Sequence, residues 1–541
     1  MSENRIKVTK DCVGIGFIVA AIYCLVRAFL LTFSTDIWYD ELFSMEFAKR
    51  PFEELISLTS KDVHPPLYYM IVRAFLLLGN SFGLPIETSG KIASILPFLL
   101  LFIYAVTVIR KNHGLLAGGL FCFASVTMPG LPEYTTEIRM YSWALFFVTA
   151  SLIHAFNLMK NYLSEDRKWD LPNGIALFLF GTAAFYTHYY AALSVAIIYF
   201  YVLLWMIIKY VAVMGGKGSI KHLNFKAIAA VIISANLTAV CYVPWLSVLL
   251  GQAHTVSGSY WIQPVGLRTF GSCIKYLFSG YFSNSIITTA LAVILFILVT
   301  FIVVNNVIRL IKSGYQDENE KVKDLQNLMA VMVLPLLVIV GIVASMLIRP
   351  VFVNRYMIPA MGTFYLAISI SIGSVFNEKV THKITQIAYC ILGILIAIVG
   401  CVDFKGFIGN EEYRQVNMEK TLELFSEIDS DTLIISNFDH VQALLAYYLN
   451  EDVTDDEHKI YLYYGQPEAL VDEMLTGLYT IEDSVDVENY LLSGKRVLFL
   501  GSFNSREAIL DEWNKEYGIT YENLGSYLME RYWFDVFELS L

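Results

Sequence analysis

The chain has 541 residues, 56% of them hydrophobic and 16% charged, with a mean hydropathy of +0.56 and a formal net charge of -11. This composition excludes a soluble cytoplasmic enzyme. The acidity is uneven: residues 403–541 hold nine Lys and Arg against 29 Asp and Glu, a balance of -20, so the hydrophobic remainder carries +9. The seven cysteines show no paired spacing, which argues against a disulfide framework or a zinc site. No basic stripe speaks for nucleic acid.

In chain order, Arg5, Lys7 and Lys10 precede an apolar run at 12–33 that lacks a small-residue cleavage site, which predicts a retained signal-anchor helix. Runs long enough to cross a bilayer follow at 91–109, 114–130, 138–159, 174–188, 190–211, 226–250, 286–310, 328–348, 355–375 and 384–402, eleven in all. The run 65–79 begins with two prolines and carries Arg73. If it does not cross, the loops assigned to the cytoplasm (1–10, 110–113, 159–173, 209–226, 309–327, 376–383) hold 18 Lys and Arg and the opposite loops nine, as the positive-inside rule requires. It therefore reads as a surface helix within a first external loop of 34–90. The same parity puts residues 403–541 outside the cell.

That tail alternates β-rich runs (432–436, 459–464, 496–500) with amphipathic stretches (418–428, 440–449, 505–516) and closes on strand-like YLMERYWFDVFEL. This predicts a small extracytoplasmic α/β domain at 403–541, after a membrane domain at 1–402. Its Leu500-Gly501-Ser502 is too short for a nucleotide fingerprint, and no Walker loop occurs. Asp439-His440 reads as a helix cap, and the tail is expected to take no part in catalysis.

Once the topology is drawn, the unusual polar residues share one side. Trp38-Tyr39-Asp40-Glu41 follows the first helix, and Asp62-Val63-His64-Pro65-Pro66-Leu67 precedes the surface helix. Glu133, Glu137, Arg139 and Tyr141 lie in the second external loop, His188-Tyr189-Tyr190 in the third, and Asn354-Arg355-Tyr356 in a later one. Ionisable groups at the mouth of a polytopic bundle are functional candidates by default. Each also has a plainer reading. Asp40-Glu41 is a natural helix-capping pair, His64-Pro-Pro a chain reversal, and His188 with its tyrosines an interfacial aromatic belt; Arg139 and Arg355 suit stabilising pairs with carboxylates or headgroups.

Asp40-Glu41 followed by D-V-H-P-P-L at 62–67 and a surface helix resembles the protein O-mannosyltransferases and the bacterial membrane glycosyltransferases of the same superfamily, family 39, with the C-type fold. Glu137-Ile-Arg-Met-Tyr141 looks like the E-x-R-x-Y of the bacterial branch, and His188-Tyr-Tyr and Arg355-Tyr like its other external landmarks. The resemblance covers about residues 1–375. It implies a glycosyltransferase of the cell membrane, hexosyl or pentosyl, that moves a sugar from a dolichyl- or undecaprenyl-phosphate donor to an acceptor hydroxyl at the outer face with inversion. By resemblance Asp40 is the general base and Glu41 orients it or an arginine. A carboxylate within about 3 Å of the hydroxyl is what such an attack needs. His64, Lys91, Arg139 and Arg355 are available to hold the leaving phosphate, and Asp62, Glu137, Tyr141, His188 and Tyr189 are substrate-binding candidates.

Lys91 stands where the mannosyltransferases usually carry Arg, and a point charge replaces a bidentate fork there. No long insert between membrane helices matches their β-trefoil, which favours the bacterial branch. No cofactor is expected and a divalent metal is left open. The acceptor stays open among protein, lipid and cell-wall glycan, with membrane lipids as the other partners. A lipid-linked glycan transporter or flippase is the rival reading. It predicts charges through the bilayer midplane, where this chain has few, Arg27 being the nearest. A catalytically silent membrane anchor for the acidic domain would leave the two motif segments unexplained.

Overall fold

The computed structural model describes residues 3–34, 36–165, 167–215, 223–258, 262–282, 284–311, 318–347, 349–374, 383–450 and 458–541. Lys217, Lys221, Lys312 and Lys379, counted above toward the cytoplasmic side, lie outside these residues. The molecule is a polytopic helical membrane protein with a C-terminal α/β domain. Among the described residues nine helices are long and apolar enough to cross a membrane, from Val8–Leu31 to Lys383–Ser426.

Over their described residues all eleven predicted runs form helices, but two of these helices fall short of a crossing. Leu115–Thr127 has 13 residues and Leu171–Phe185 has 15. At 1.5 Å per residue these reach only about 20 Å, against a hydrocarbon core of about 30 Å. The first is short because it is an interior element: all but one of its residues are buried. Small residues let backbones meet there, since a methyl group on Gly119 would stand 2.2 Å from the Gly14 carbonyl oxygen, and one on Gly14 would stand 2.7 Å from the Leu115 carbonyl. The run predicted at 65–79 is the helix Leu67–Ser81.

Two compact units emerge. The first comprises Met1–Thr32, Val63–Ile71 and Lys91–Phe407; the second comprises Phe33–Asp62, Val72–Gly90 and Ile408–Leu541. The division falls inside the helices Leu67–Ser81 and Lys383–Ser426. The stretch 418–428, read from sequence as an amphipathic element of the tail, is in fact the end of that 44-residue helix.

The second unit is built on a six-stranded sheet of order β3-β2-β1-β4-β6-β5, with β1 Leu433–Ser436, β2 Ile460–Tyr463, β3 Leu478–Ile481, β4 Val497–Gly501, β5 Thr520–Met529 and β6 Tyr532–Ser540. The first four are parallel; β6 runs antiparallel to β4 and to β5. β1 and β4 are buried along their whole length, as strands covered on both faces must be. Leu433 and Ile435 face one layer with Val487, Leu510 and Trp513, and the Trp513 indole donates to the Tyr463 hydroxyl at 3.0 Å. The closing YLMERYWFDVFEL, read as one strand, is the turn of a hairpin: Glu530, at φ +54°, and Arg531 separate β5 from β6. The strand order reverses at β1, between β2 and β4, which opens a crevice beyond their carboxyl ends.

Candidate functional site

In the first unit, three chain turns converge on His188. The prolines after His64 direct the chain into the helix Leu67–Ser81, whose first amide (Leu67 N) donates to the Tyr186 carbonyl at 3.0 Å, tying the His64 turn to the His188 turn. His188 caps the helix Tyr189–Met214, its Nδ1 accepting the Tyr190 amide at 3.1 Å. An accepting Nδ1 places the proton of the neutral ring on Nε2. Around the imidazole stand the rings of Tyr141 (5.3 Å between centroids), Tyr356 (5.2 Å), His64 (5.8 Å) and Tyr190 (6.0 Å). Tyr190 also stacks on Tyr356 at 4.8 Å, and its hydroxyl donates to the Val351 carbonyl.

His188 is 3% exposed. Burial, then the charges of His64, Arg139 and Arg355, holds its pKa well below the usual range. Arg139 and Arg355 thus bring two guanidinium charges close enough to act on the ring. Arg139 is itself buried, on the short link between the helix Tyr141–Tyr162 and the 3-10 turn Pro132–Thr135; Arg355 lies in the 3-10 turn Asn354–Met357.

Next along the same unit is a cavity of about 750 Å³ whose wall includes Glu133, Arg268, Lys275, Tyr276, Asn354 and Asp403. Arg268 and Lys275 lie seven residues apart on the helix Leu267–Phe278, so they share a face. Asn354, the neighbour of Arg355, donates to Ser272 Oγ at 2.5 Å, and the Tyr281 hydroxyl donates to Glu133 at 3.0 Å. Gly130, at φ +76°, lets Tyr276 lie flat against the chain: a methyl group there would stand 2.8 Å from the ring.

In the second unit, Asp40 and Glu41 occupy the first turn of the helix Tyr39–Lys49. Glu41 Oε2 accepts the Trp38 amide at 2.9 Å, a capping contact, while Asp40 is half-exposed. Tyr39 stacks flat on His440 (3.7 Å, 10° between planes), and its hydroxyl donates to Glu468 at 3.0 Å. Burial, with the Glu468 charge behind it, drives the Tyr39 hydroxyl far up. Burial likewise raises Glu468, helped by Asp62, Asp439 and Asp40. It lowers His440 against the pull of Asp439 and Asp40. His440 Nδ1 and the Tyr532 hydroxyl are hydrogen-bonded at 3.0 Å. The tail thus supplies the surroundings of Asp40.

Of the residues singled out from sequence, His64, Arg139, Tyr141, His188 and Arg355 come together in the first unit. Asp40, Glu41 and Asp62 belong to the second. Lys91 is buried on the helix Ile86–Tyr104, and Glu137 is buried beside Tyr134, whose hydroxyl it helps to raise behind the larger effect of burial. Tyr189 is held by α-helical partners at 225–258: its hydroxyl donates to Gln252 and accepts from Trp245. Arg268, Lys275, His440, Glu468 and Tyr532 escaped the sequence reading as site residues, whereas Tyr190 and Tyr356 were named there only within their segments. The seven-residue spacing of Arg268 and Lys275 was the one local signal among them. Among the described residues no group of three or more His, Cys, Asp or Glu is placed to hold a metal ion.

No protein-family model and no curated protein matches the chain. Among solved structures it is similar to an oligosaccharyltransferase of Archaeoglobus fulgidus in complex with Zn and sulfate (9% identity, TM-score 0.42, 88% of this chain and 68% of the other covered). It is also similar to the archaeal oligosaccharyltransferase AglB from Archaeoglobus fulgidus in complex with an inhibitory peptide and a dolichol-phosphate (12% identity, TM-score 0.42, 89% and 69% covered).

Proposed function

We propose that the chain is an integral-membrane glycosyltransferase of the cell membrane that transfers a sugar from a polyprenyl-phosphate donor to an acceptor hydroxyl at the extracytoplasmic face, with inversion. The observation that carries this reading is the convergence of His64, Arg139 and Arg355 on a buried, neutral His188, in a protein with nine candidate spans among its described residues. Such a place suits an anion that arrives with a membrane-soluble tail, and a lipid phosphate is one. His64, Arg139 and Arg355 take its charge, with Lys91 in support; Arg268 and Lys275 line the neighbouring cavity.

Asp40 is the general base. It takes the proton of the acceptor hydroxyl as the new bond forms from that oxygen to the anomeric carbon. The anomeric carbon's bond to phosphate oxygen breaks, and the electron pair leaves with the polyprenyl phosphate, stabilised by the cations. Topology follows the charge count: N-terminus cytoplasmic, first loop and acidic domain outside.

The test is sugar transfer by the purified protein in nanodiscs from a set of polyprenyl-phosphate hexose and pentose donors. Asp40→Asn is expected to lose about 10²–10⁴-fold in rate, and Arg139→Gln to weaken retention of polyprenyl phosphate. Undiminished turnover in Asp40→Asn would remove Asp40 as the base.

A further inference from the structure

The second unit contains a cavity that the reading above does not use. It measures about 450 Å³ and is walled by Phe438, Phe503, Arg506, Tyr532, Trp533 and Asp535, among others. Phe438 follows the carboxyl end of β1 and Phe503 that of β4, so the cavity opens at the point where the strand order reverses.

Three observations bear on what it takes. The first is exposure: Phe503 is 64% and Trp533 50% exposed, two large rings on one cavity wall left facing solvent. The second is strain. Phe503 sits at φ +58°, a left-handed conformation that a bulky residue rarely adopts and that recurs at functional sites. Arg506 holds it there by donating to the Phe503 carbonyl at 2.5 Å. The third is the polar group on the same wall: Arg506 Nε meets Asp535 Oδ2 at 2.7 Å, Asp535 also accepts from Ser526, and Arg531 lies beside Glu530.

Aromatic rings and a charge-balanced set of planar donors and acceptors on one cavity wall match the two surfaces of a pyranose: C–H faces that stack on aromatics and rim hydroxyls that pair with carboxylate and guanidinium. A nucleotide does not suit the crevice. The Ser502 amide, which would cradle a phosphate after β4, is already spent on Asn437 Oδ1 at 2.7 Å, and the Asn437 amide nitrogen caps the Ser502 carbonyl at 2.8 Å.

One residue of the cavity wall, Tyr532, links it to the surroundings of Asp40. Tyr532 is hydrogen-bonded to His440, and the Asp40 charge acts on both. We infer that this cavity binds a neutral oligosaccharide as the acceptor, with Trp533 and Phe503 as stacking platforms, Arg506 and Asp535 gripping its hydroxyls, and the sugar next to Tyr532 turned toward Asp40. This rests on the glycosyltransferase reading and names its acceptor class.

The test uses the full chain in nanodiscs without donor. Cello-, chito-, malto- and mannotetraose are titrated and followed by saturation-transfer NMR and tryptophan fluorescence, with an octapeptide library as comparison. At least one tetraose is expected to bind, and Trp533→Ala to weaken it tenfold or more. Phe503→Gly is expected to weaken binding similarly while raising the midpoint of thermal unfolding, because glycine relieves the strain; a folding defect cannot produce that pair. Binding of none of the four, binding unchanged by Trp533→Ala, or peptide binding lost in Trp533→Ala would each overturn the inference. Sugar transfer without oligosaccharide binding would remove the cavity assignment alone, whereas binding without transfer would remove only the glycosyltransferase reading.

Discussion

His188→Asn should flatten the acid limb of the protein's stability. Asparagine keeps a side-chain oxygen at the helix cap, so the contact to the Tyr190 amide survives while the titrating ring is lost. In the parent, the folded pKa of His188 lies well below its ordinary value of 6.5 because the ring is buried among His64, Arg139 and Arg355. The unfolded chain therefore takes up a proton near pH 6.5 that the folded one refuses. The stability that goes with the neutral ring is complete above that pH and is lost as the pH falls toward the folded pKa. One proton per molecule corresponds to about 1.4 kcal/mol per pH unit, so between pH 6.5 and 5 the parent should lose about 2 kcal/mol through this ring alone. Thermal unfolding in nanodiscs at steps of half a pH unit measures the difference between parent and variant, which cancels the carboxylates common to both. Parallel curves, or a His188 resonance titrating near pH 6.5, would refute the argument. The same electrostatics predict that polyprenyl phosphate, by placing negative charge near the ring, binds with proton uptake and so more tightly at pH 6 than at pH 7.5.

Gly130→Ala is expected to cost about 1–2 kcal/mol for its left-handed backbone, and to displace the Tyr276 ring, so it should lower the melting temperature and slow donor turnover together. A variant with parental melting and rate would show that the ring yields freely. Trp513→Ala removes a fully buried side chain packed against Phe499 and Tyr463. It should destabilise the second unit by about 3–5 kcal/mol, read as an early unfolding transition in calorimetry.

The sequence was most legible where one physical signal dominated. Among the described residues, apolar length marked each of the nine candidate spans. It was less legible where length and burial competed: Leu115–Thr127 is apolar because it is interior, which composition cannot tell from a crossing. In the tail, β3 and the helix Ser484–Leu492 were missed because each is short and only partly buried. At the candidate site, His64, Arg139, His188 and Arg355 could be picked out one by one as costly polar groups near apolar runs. That they share a centre depends on contacts between positions up to about 290 residues apart, which leave no local period. Asp40 is the sharper case. Its neighbours His440, Glu468 and Tyr532 lie 400 or more residues downstream, where a helix cap was the natural reading of Asp439-His440.

The second unit is assembled from three separate stretches of chain, and its internal bonds cross between them. The Ile37 amide donates to the Tyr448 hydroxyl at 2.8 Å, Arg50 to the Met474 carbonyl at 2.7 Å, Lys61 to Glu473 at 2.5 Å, and Tyr447 to Glu87 at 2.9 Å. The acidic tail therefore cannot be treated as an exchangeable module. A fragment beginning at residue 408 would leave behind the partners of these four bonds and, with them, Tyr39 from the face of His440. Chimeras between related chains should work only when the loop 33–62 and the stretch 72–90 travel with the tail.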